Sequence, residues 1–221
     1  IKVIPINLPF TKFTTNERKE LLARSLRSNN SRIDVFAIDQ IWGSRFSKWA
    51  TDLDKYFNFS VENVIVEELL FTCYHKGELK SIPLYLDMGV LYYRKDMLEE
   101  YCNDPEVITK IKNSMTWEEF INISNNSFAN RPTYLFQGRN YEGLICTFVE
   151  TMGLNKEKIT IDDFFTDEAA QTIQFYHDLI YKYNVSPLEC TQFNEVQSFH
   201  YSFKNNIPFF KGWVSSIKDS L

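Results

Sequence analysis

The sequence predicts an α/β fold, and three local patterns carry the prediction. Thr14-Thr-Asn-Glu17 is a Ser/Thr-x-x-Glu capping box, and it predicts a helix that runs to about Arg27. Asp34–Asp39 is a short apolar run bounded by acidic residues, which is typical of a buried parallel strand in a β-α-β unit. A second capping box, Thr116-Trp-Glu-Glu119, predicts another helix that ends near Ser124.

The remaining strands are predicted from short apolar or alternating runs between turn residues. Lys76-Gly77 marks a turn between two such runs. The predicted strands are Ile1–Ile6, Val64–Phe71, Leu79–Tyr85, Gly89–Tyr93, Tyr134–Phe136 and Ile207–Phe210.

The remaining helices follow from apolar periodicity and from end signals. The polar turn Ser28–Arg32 ends the first helix, and Thr166 is the predicted N-cap of a long helix. The other predicted helical segments are Ser44–Phe57, Arg94–Tyr101, Tyr141–Met152, Asp163–Tyr183 and Glu195–Asn205. The pattern of the sequence changes from strand-like to helical near residues 94–98, where we expect the chain to cross between two domains.

Composition excludes several classes of function. The 24 basic and 29 acidic residues give a net charge of −5, and no block of Lys or Arg is longer than a pair, which argues against a nucleic-acid surface. Apolar runs stay below the roughly 18–20 residues of a membrane span. Only 7 of the 221 residues are glycine, and Gly138–Gly143 lacks the Lys-Ser/Thr of a phosphate-binding loop.

The sequence also lacks the patterns of metal and nucleophile sites. The three histidines, His75, His177 and His200, lie far apart and outside an HExxH motif, so we predict no metal site and no cofactor. The cysteines match neither CxxC metal pairs nor a disulfide framework, and we expect buried small hydrophobic side chains. They are Cys73, Cys102, Cys146 and Cys190.

Two acidic residues follow predicted strands inside apolar sequence. Asp39 follows Val35–Ile38, and Asp87 follows Ile82–Leu86, at the strand ends where open α/β sheets bind ligands. Because burial of an unpaired carboxylate is costly, each needs a partner. That partner is either a backbone N–H group, as in a helix cap, or a ligand rich in hydroxyl groups.

Aromatic residues near these acids suggest a sugar ligand. A carboxylate accepts hydrogen bonds from neighbouring hydroxyl groups, and an aromatic face packs on the apolar face of a sugar ring. Trp42, Tyr85 and Trp213 are the candidate faces, with core packing as the alternative for each.

Taken together, these motifs resemble the extracellular solute-binding proteins of ABC sugar transporters, in the trehalose/maltose-binding branch of the maltose-binding-like group. The resemblance is carried in family order over essentially the whole chain. Its segments are Thr14–Arg18, Asp34–Trp42, Ile82–Asp96, Thr116–Glu119, Phe136–Gly143, Asp178–Tyr183 and Phe210–Trp213.

The resemblance implies a type II periplasmic-binding-protein fold, with two α/β lobes that close on a sugar. It also implies that the chain is a fragment lacking the first strand and helix and the C-terminal part. We therefore expect residues 1–96 in a partial N-terminal lobe, residues 97–206 in a partial C-terminal lobe, and residues 207–221 in a crossing back to the first lobe.

The resemblance also implies a set of sugar-binding positions. Gly143 would allow close backbone approach, and Trp213 would stack on the sugar. The predicted site comprises Arg18, Asp39, Trp42, Tyr85, Asp87, Tyr141, Glu142, Gly143 and Trp213. Gly212 stands where the family has Asn, and Val214-Ser215 where it has Pro-Tyr, which leaves the identity of the sugar open.

The expected function is that of a receptor without catalytic residues, which hands a di- or oligosaccharide to a membrane permease. We expect a monomer outside the cytoplasmic membrane, with a lipid anchor left open and no nucleic-acid partner. One alternative is a glycoside hydrolase that uses Asp39 and Asp87, which requires carboxyl groups about 5 Å or about 6.5–9.5 Å apart. The other is a receptor of the same fold for an oligopeptide, a polyamine or a metal chelate.

Overall fold

A computed structural model of the chain describes residues 2–9, 12–28, 33–57, 63–128, 131–153 and 160–214. The predictions for Ile1, for most of the turn Ser28–Arg32 and for residues 215–221 lie outside these residues. The chain divides into two compact units, Ile1–Leu86 and Asp87–Leu221. The lobe limits expected at residues 96 and 206 concern a longer protein and stay predictions.

The first unit consists of one 13-residue helix, several shorter helices and one small hairpin. Its α-helices and strands are α1 (Thr15–Arg27), α2 (Gly43–Phe46), α3 (Glu67–Cys73), β1 (Tyr74–His75) and β2 (Glu78–Leu79). The 3-10 helices Gln40–Trp42 and Ser47–Trp49 flank α2. The predicted turn Lys76-Gly77 connects β1 and β2, and both of its residues have positive φ, at 55° and 81°, as a two-residue hairpin turn requires.

The predicted capping box of α1 is confirmed. The Thr14 side chain accepts a hydrogen bond from the Glu17 backbone N–H, and the Glu17 carboxylate accepts one from the Thr14 backbone N–H. These two bonds satisfy donors that a helix start leaves unpaired, and they define where α1 begins.

Most strand predictions for the first unit are wrong in the described residues. Residues 2–6 and Val35–Ile38 form no strand there, the apolar run after Val64 folds as α3, and of the predicted strand Leu79–Tyr85 only Leu79 lies in a strand, β2. A strand forms only where a neighbouring segment pairs with its backbone, and no described segment is paired with residues 2–6 or Val35–Ile38. In α3, Leu70 and Cys73 are three residues apart and both are buried, so this short apolar run has helical periodicity.

The second unit contains a three-stranded sheet covered by helices. Its elements are β3 (Gly89–Tyr93), α4 (Lys95–Tyr101), α5 (Pro105–Asn113), α6 (Trp117–Ser127), β4 (Tyr134–Leu135), α7 (Glu142–Gly153), α8 (Asp167–Tyr181), α9 (Glu195–Asn205) and β5 (Phe209–Trp213). The strand order is β3-β5-β4, in which β5 pairs antiparallel with β3 and parallel with β4.

Most element predictions for the second unit are confirmed, with three differences. The long predicted helix is divided at Thr166, whose extended backbone caps α8 and separates it from the 3-10 helix Ile161–Phe165. Strand β5 begins after Pro208, which has no N–H to donate, and it extends to Trp213 because β3 pairs with all five of its residues. Helix α5 was not predicted, although Asp104 caps it and Pro105 occupies its first position.

One apolar core holds the second unit together. Phe209 of β5 is fully buried, and its ring lies 5.1 Å from that of Phe120 and 6.0 Å from that of Phe128. Fully buried Gln137 crosses this region and donates hydrogen bonds to the Lys211 carbonyl oxygen (2.9 Å) and to Ser198 Oγ (3.1 Å). These bonds connect the segment after β4 to both β5 and α9.

The cysteine prediction is largely confirmed. Three of the four free thiols are buried, and that of Cys146 is half-buried. Burial raises the pKa of the Cys190 thiol to about 12, so this side chain stays neutral. No helix among the described residues is long and apolar enough to cross a membrane.

Candidate functional site

Two predicted site residues lie at the same end of the β3–β5 pair. Gly89 is paired with Trp213, and the Val214 N–H donates to the Met88 carbonyl oxygen at 3.2 Å. Asp87 directly precedes this pair, and its Oδ1 accepts a hydrogen bond from the Met88 N–H at 3.2 Å. The sheet therefore brings Asp87 and Trp213, which are far apart in sequence, to one edge.

Tyr92 interacts with both of these residues. Its hydroxyl donates to the Trp213 carbonyl oxygen at 2.7 Å. Burial raises the pKa of Tyr92, and the negative charge of Asp87 raises it further. The phenol therefore stays protonated, and it continues to donate to the backbone of Trp213.

The Trp213 side chain is contacted at its indole nitrogen and on one face of its ring. Its Nε1–H donates to Glu195 Oε1 at 2.9 Å, and Lys211 Nζ lies over the ring, 4.5 Å from its centroid. Glu195 begins α9, so its negative charge also lies at the favourable end of a helix.

Tyr141 packs over Gly143 and is influenced by the charge of the same glutamate. The Tyr141 hydroxyl lies over Gly143, where an added Cβ would lie 2.1 Å from the hydroxyl oxygen. Burial raises the pKa of Tyr141 well above its usual range, and the negative charge of Glu195 is the next cause. Glu195 is thus a common neighbour of Tyr141 and Trp213. Half-buried Glu142 is the first residue of α7.

An ion pair between buried Lys211 and partly exposed Glu150 lies beside the Trp213 ring. Lys211 is 7% exposed, and its Nζ lies 3.2 Å from Glu150 Oε2. The Glu150 carboxylate packs against Gly89, where an added Cβ would lie 2.3 Å from Oε1. The pair therefore connects α7 to both strands at this edge of the sheet.

The predicted residues of the first unit form a looser group. Lys19 Nζ of α1 lies 5.7 Å from the centroid of the Trp42 ring, and Arg45 Nη2 lies 2.9 Å from Glu20 Oε1. The N-terminal half of α1, which carries Arg18, therefore lies beside the segment of Trp42. Arg18 Nη2 itself donates to Thr15 Oγ1 at 3.2 Å.

Asp39 and Tyr85 differ in their surroundings. Asp39 is half-buried, and its Oδ1 accepts the Ile41 N–H at 3.1 Å as the N-cap of a 3-10 helix. Of the two interpretations of this acid, the cap describes its local contact. Tyr85 is 74% exposed. Of the nine predicted residues, the structure therefore places Asp87 and Trp213 at one end of the β3–β5 pair and Tyr141 over Gly143, all within the second unit.

A depression of about 240 Å³ adjoins this end of the sheet, where Gly89, Glu150 and Lys211 line it. The described residues contain no group of three or more His, Cys, Asp or Glu side chains that could hold a metal ion. A surface depression of about 700 Å³ lies at the end of α8 and is lined by residues such as Asn125, Lys182 and Asn184. None of the predicted site residues lines it.

The fold and this edge of the sheet define a class of protein. The structural neighbours of the chain are type II periplasmic sugar-binding proteins, and the chain has about half of their α/β fold. MalE3 of T. maritima, solved with bound maltose, is 27% identical and superposes with a TM-score of 0.70, covering 91% of this chain and 51% of that one. The Thermus thermophilus maltotriose-binding protein, solved with maltotriose, is 16% identical with a TM-score of 0.66, covering 95% and 54%, and shows the fold alone.

Sequence relatives indicate the same class. A Deinococcus radiodurans protein described as a "Probable ABC transporter-binding protein" is 27% identical over 218 residues, covering 90% of this chain and 48% of the relative. An arabinooligosaccharide-binding protein of Halalkalibacterium halodurans is 28% identical over 204 residues, covering 85% and 41%. The homologues and structural neighbours are thus sugar-binding proteins of ABC transporters. The chain spans about half the length of the relatives that it matches, and no protein-family model matches it.

Sequence reasoning missed three residues of the site. Lys211 carried a signal, because a lysine inside the apolar run Ile207–Trp213 needs a buried partner. That partner, Glu150, lies on a distant helix, and the sequence contains no hint of it. Glu195 follows the cap residue Asn194 and looked like an ordinary acidic residue in the first turn of a helix.

Proposed function

We propose that the protein containing this chain is the sugar receptor of an ABC importer. It captures a di- or oligosaccharide of the maltose or trehalose kind in a cleft between two lobes and delivers it to a membrane permease. The observation that carries the proposal is the position of Asp87 and Trp213 at one end of the β3–β5 pair, in a chain whose relatives are ABC-transporter sugar-binding proteins.

Each residue type at the proposed site suits a sugar. A carboxylate such as Asp87 only accepts hydrogen bonds and therefore suits sugar hydroxyl groups, whereas the guanidinium of Arg18 only donates. The indole face of Trp213 offers apolar area to the C–H groups of a pyranose ring. Asp39, Trp42, Tyr85, Glu142 and the backbone at Gly143 complete the proposed site.

The proposal includes a location and a mode of action. The receptor acts outside the cytoplasmic membrane as a monomer, and its lobes close on the sugar by hinge motion, as in other two-domain binding proteins. The lobe limits at residues 96 and 206, and a lipid anchor, belong to the same proposal.

We propose binding rather than hydrolysis. A hydrolase would need two carboxyl groups facing one glycosidic bond, with one of them kept protonated. The Asp39 carboxylate instead accepts a backbone N–H and caps a helix, which is a structural role. Incubation of the full-length protein with maltodextrins and trehalose should release no reducing sugar, and turnover would overturn the receptor proposal.

Calorimetry on the full-length protein tests the ligand class. We expect binding to at least one of maltose, maltotriose, trehalose and an arabinooligosaccharide. An oligopeptide, spermidine and a ferric chelate should give no heat of binding. If no sugar binds and one of these three solutes does, the chain belongs to a receptor of the same fold for a different solute.

Two variants of the full-length protein test the site. Asp87→Ala should weaken sugar affinity about 10-fold or more, because hydrogen bonds to a charged group contribute roughly 1.5–3 kcal/mol. Trp213→Ala should weaken it through the lost stacking area. Glu99→Ala and Tyr181→Ala, which change exposed side chains elsewhere in the second unit, are the matched controls. An unchanged dissociation constant in either site variant would remove that residue from the site.

A further inference from the structure

The Trp213 ring is held from two directions by groups outside the proposed sugar contacts. Its Nε1–H donates to Glu195 Oε1 at 2.9 Å, and the Lys211 ammonium lies 4.5 Å from the ring centroid. Lys211 is itself held by Glu150 at 3.2 Å. The ammonium thus lies over one face of the ring.

Glu195 serves two aromatic side chains at once. Besides accepting the indole N–H, its carboxylate raises the pKa of Tyr141. These two aromatics come from separate elements, Tyr141 from the start of α7 and Trp213 from the end of β5. Glu195 therefore holds the Trp213 ring by a direct hydrogen bond and acts on Tyr141 through its charge.

The backbone of Glu195 is well anchored. In the capping box before it, the Asn194 side chain accepts the Gln197 N–H at 3.0 Å and the Gln197 side chain accepts the Asn194 N–H at 3.0 Å. The Asn194 carbonyl oxygen also accepts the Ser198 hydroxyl at 3.0 Å. The backbone position from which the Glu195 side chain extends is therefore fixed, as a positioning residue requires.

We propose that Glu195 is a positioning residue, which fixes the Trp213 ring in the orientation that receives the sugar. The inference rests on the proposed function, in which Trp213 contacts the ligand. A preoriented ring does not have to be ordered during binding, so it lowers the entropic cost of association. The role requires the reach of the side chain and an acceptor oxygen at its end, and it does not require the negative charge.

Two conservative variants distinguish whether Glu195 acts through the length of its side chain or through its negative charge. Glu195→Gln keeps the length and an acceptor for the indole N–H, and its amide can donate to the Tyr141 oxygen. Glu195→Asp keeps the charge at the start of α9 but is one methylene shorter. In the full-length protein, we expect Glu195→Gln to bind maltose, or the best ligand of the sugar panel, within about twofold of the wild type. Glu195→Asp and Glu195→Ala should bind about tenfold more weakly, the scale of one hydrogen bond to a charged group.

A double-mutant cycle identifies the bond that matters. Trp213→Phe keeps an aromatic face but removes the indole N–H, so the penalty of Glu195→Ala should fall clearly in a Trp213→Phe background. The part that remains reports on Tyr141. The indole N–H resonance that disappears in Trp213→Phe should shift in Glu195→Asp and stay near its wild-type position in Glu195→Gln.

The outcomes distinguish the two proposals. If Trp213→Ala binds the sugar as the wild type does, the site of the proposed function fails. If Trp213→Ala loses affinity while Glu195→Asp and Glu195→Ala do not, only the positioning role fails. Loss of affinity in Glu195→Gln with retention in Glu195→Asp would also overturn it, because that pattern requires the charge. Thermal unfolding confirms that each variant is folded, and Glu195→Asp keeps the test decisive should Glu195→Ala not fold.

Discussion

The two units differ in how completely they bury their apolar side chains. The second unit has one continuous core under its sheet, whereas the buried cluster around α3 and the hairpin of the first unit comprises Leu70, Cys73 and Leu79. Large apolar residues of the first unit remain exposed, including Val35 at 90% and Val3 at 80%. The difference shows that a strand pattern becomes structure only where a neighbouring segment pairs with it.

The candidate site follows the same division. Asp87, Tyr141, Gly143 and Trp213 are held by paired strands, helix starts and the ion pair between Lys211 and Glu150. Arg18, Asp39, Trp42 and Tyr85 lie on short helices and extended segments. The second unit therefore supplies the better-ordered part of the proposed site.

The largest expected effect comes from truncating the core of the second unit. Phe209→Ala should lower the free energy of unfolding by about 3–5 kcal/mol, because it removes a fully buried ring from between two other rings. Leu79→Ala in the first unit should cost about 2–3 kcal/mol, the low end for a buried leucine, because few buried neighbours surround it. Peptide-resolved hydrogen exchange measures the free energy of unfolding of each unit separately. A loss of stability for Leu79→Ala that equals or exceeds that for Phe209→Ala would contradict the comparison.

The ion pair between Lys211 and Glu150 in the second unit provides the next test of this comparison. Glu150→Gln should destabilise the chain by about 1–3 kcal/mol, since the Lys211 ammonium then stays buried without its counter-charge. Glu150 is 42% exposed, which favours the lower half of that range because solvent screens the charge. Lys211→Met should cost less, and adding it to Glu150→Gln should restore part of the loss. Urea unfolding of the three variants measures this, and an additive double mutant would show that the two charges do not interact.

Substitution of one glycine in each unit distinguishes an effect on the geometry of the sugar site from a general effect on stability. Gly143→Ala should weaken sugar affinity of the full-length protein about 3- to 10-fold, the scale of one displaced hydrogen bond, because its Cβ would occupy the place of the Tyr141 hydroxyl. Gly77→Ala, in the hairpin turn at φ 81°, strains the backbone where no atom lies near the added Cβ, and it should leave the affinity unchanged. Tyr141→Phe added to Gly143→Ala should relieve the clash. Equal affinity losses for the two glycine variants would remove the distinction.

The smallest expected effect concerns acid stability. The Arg94 guanidinium, which hydrogen-bonds Asp96, lowers the pKa of that carboxyl to about 2. Since the folded-state pKa lies below the unfolded value of about 3.9, the pair adds stability above about pH 4 and loses it as the pH falls toward about 2. Asp96→Asn should therefore flatten the decline in unfolding midpoint between pH 4 and pH 2. An identical decline in both proteins would show that the pair does not contribute.

Helix starts were largely predictable from the sequence. The side chains of Thr14, Thr116 and Thr166 each accept a hydrogen bond from a backbone N–H three residues later. Such a bond depends only on residues within one turn, so a local pattern contains all the information that it needs. The strands of the first unit could not be predicted in this way, because their existence depends on partners elsewhere in the chain.

The site was predictable in its types of residue and not in its connections. Asp87 and Trp213 could be proposed separately, as an acid after a strand and an aromatic near the chain end. Their proximity depends on the antiparallel register of β3 and β5. Glu195 could not be found from sequence, because its role is a contact to an indole 18 positions away.

The sequence by itself determined the α/β class, the helix caps, the hairpin turn at Lys76-Gly77 and the kinds of side chain available for a ligand. Each of these depends on short-range chemistry, namely backbone donors at helix ends, the backbone freedom of glycine, and the hydrogen-bonding capacity of acids and aromatics. Only the tertiary structure decided which strands formed, that Lys211 pairs with Glu150, and that Glu195 accepts the indole N–H of Trp213. Those outcomes depend on the pairing and packing of segments that are distant in sequence, and local sequence patterns do not encode such contacts.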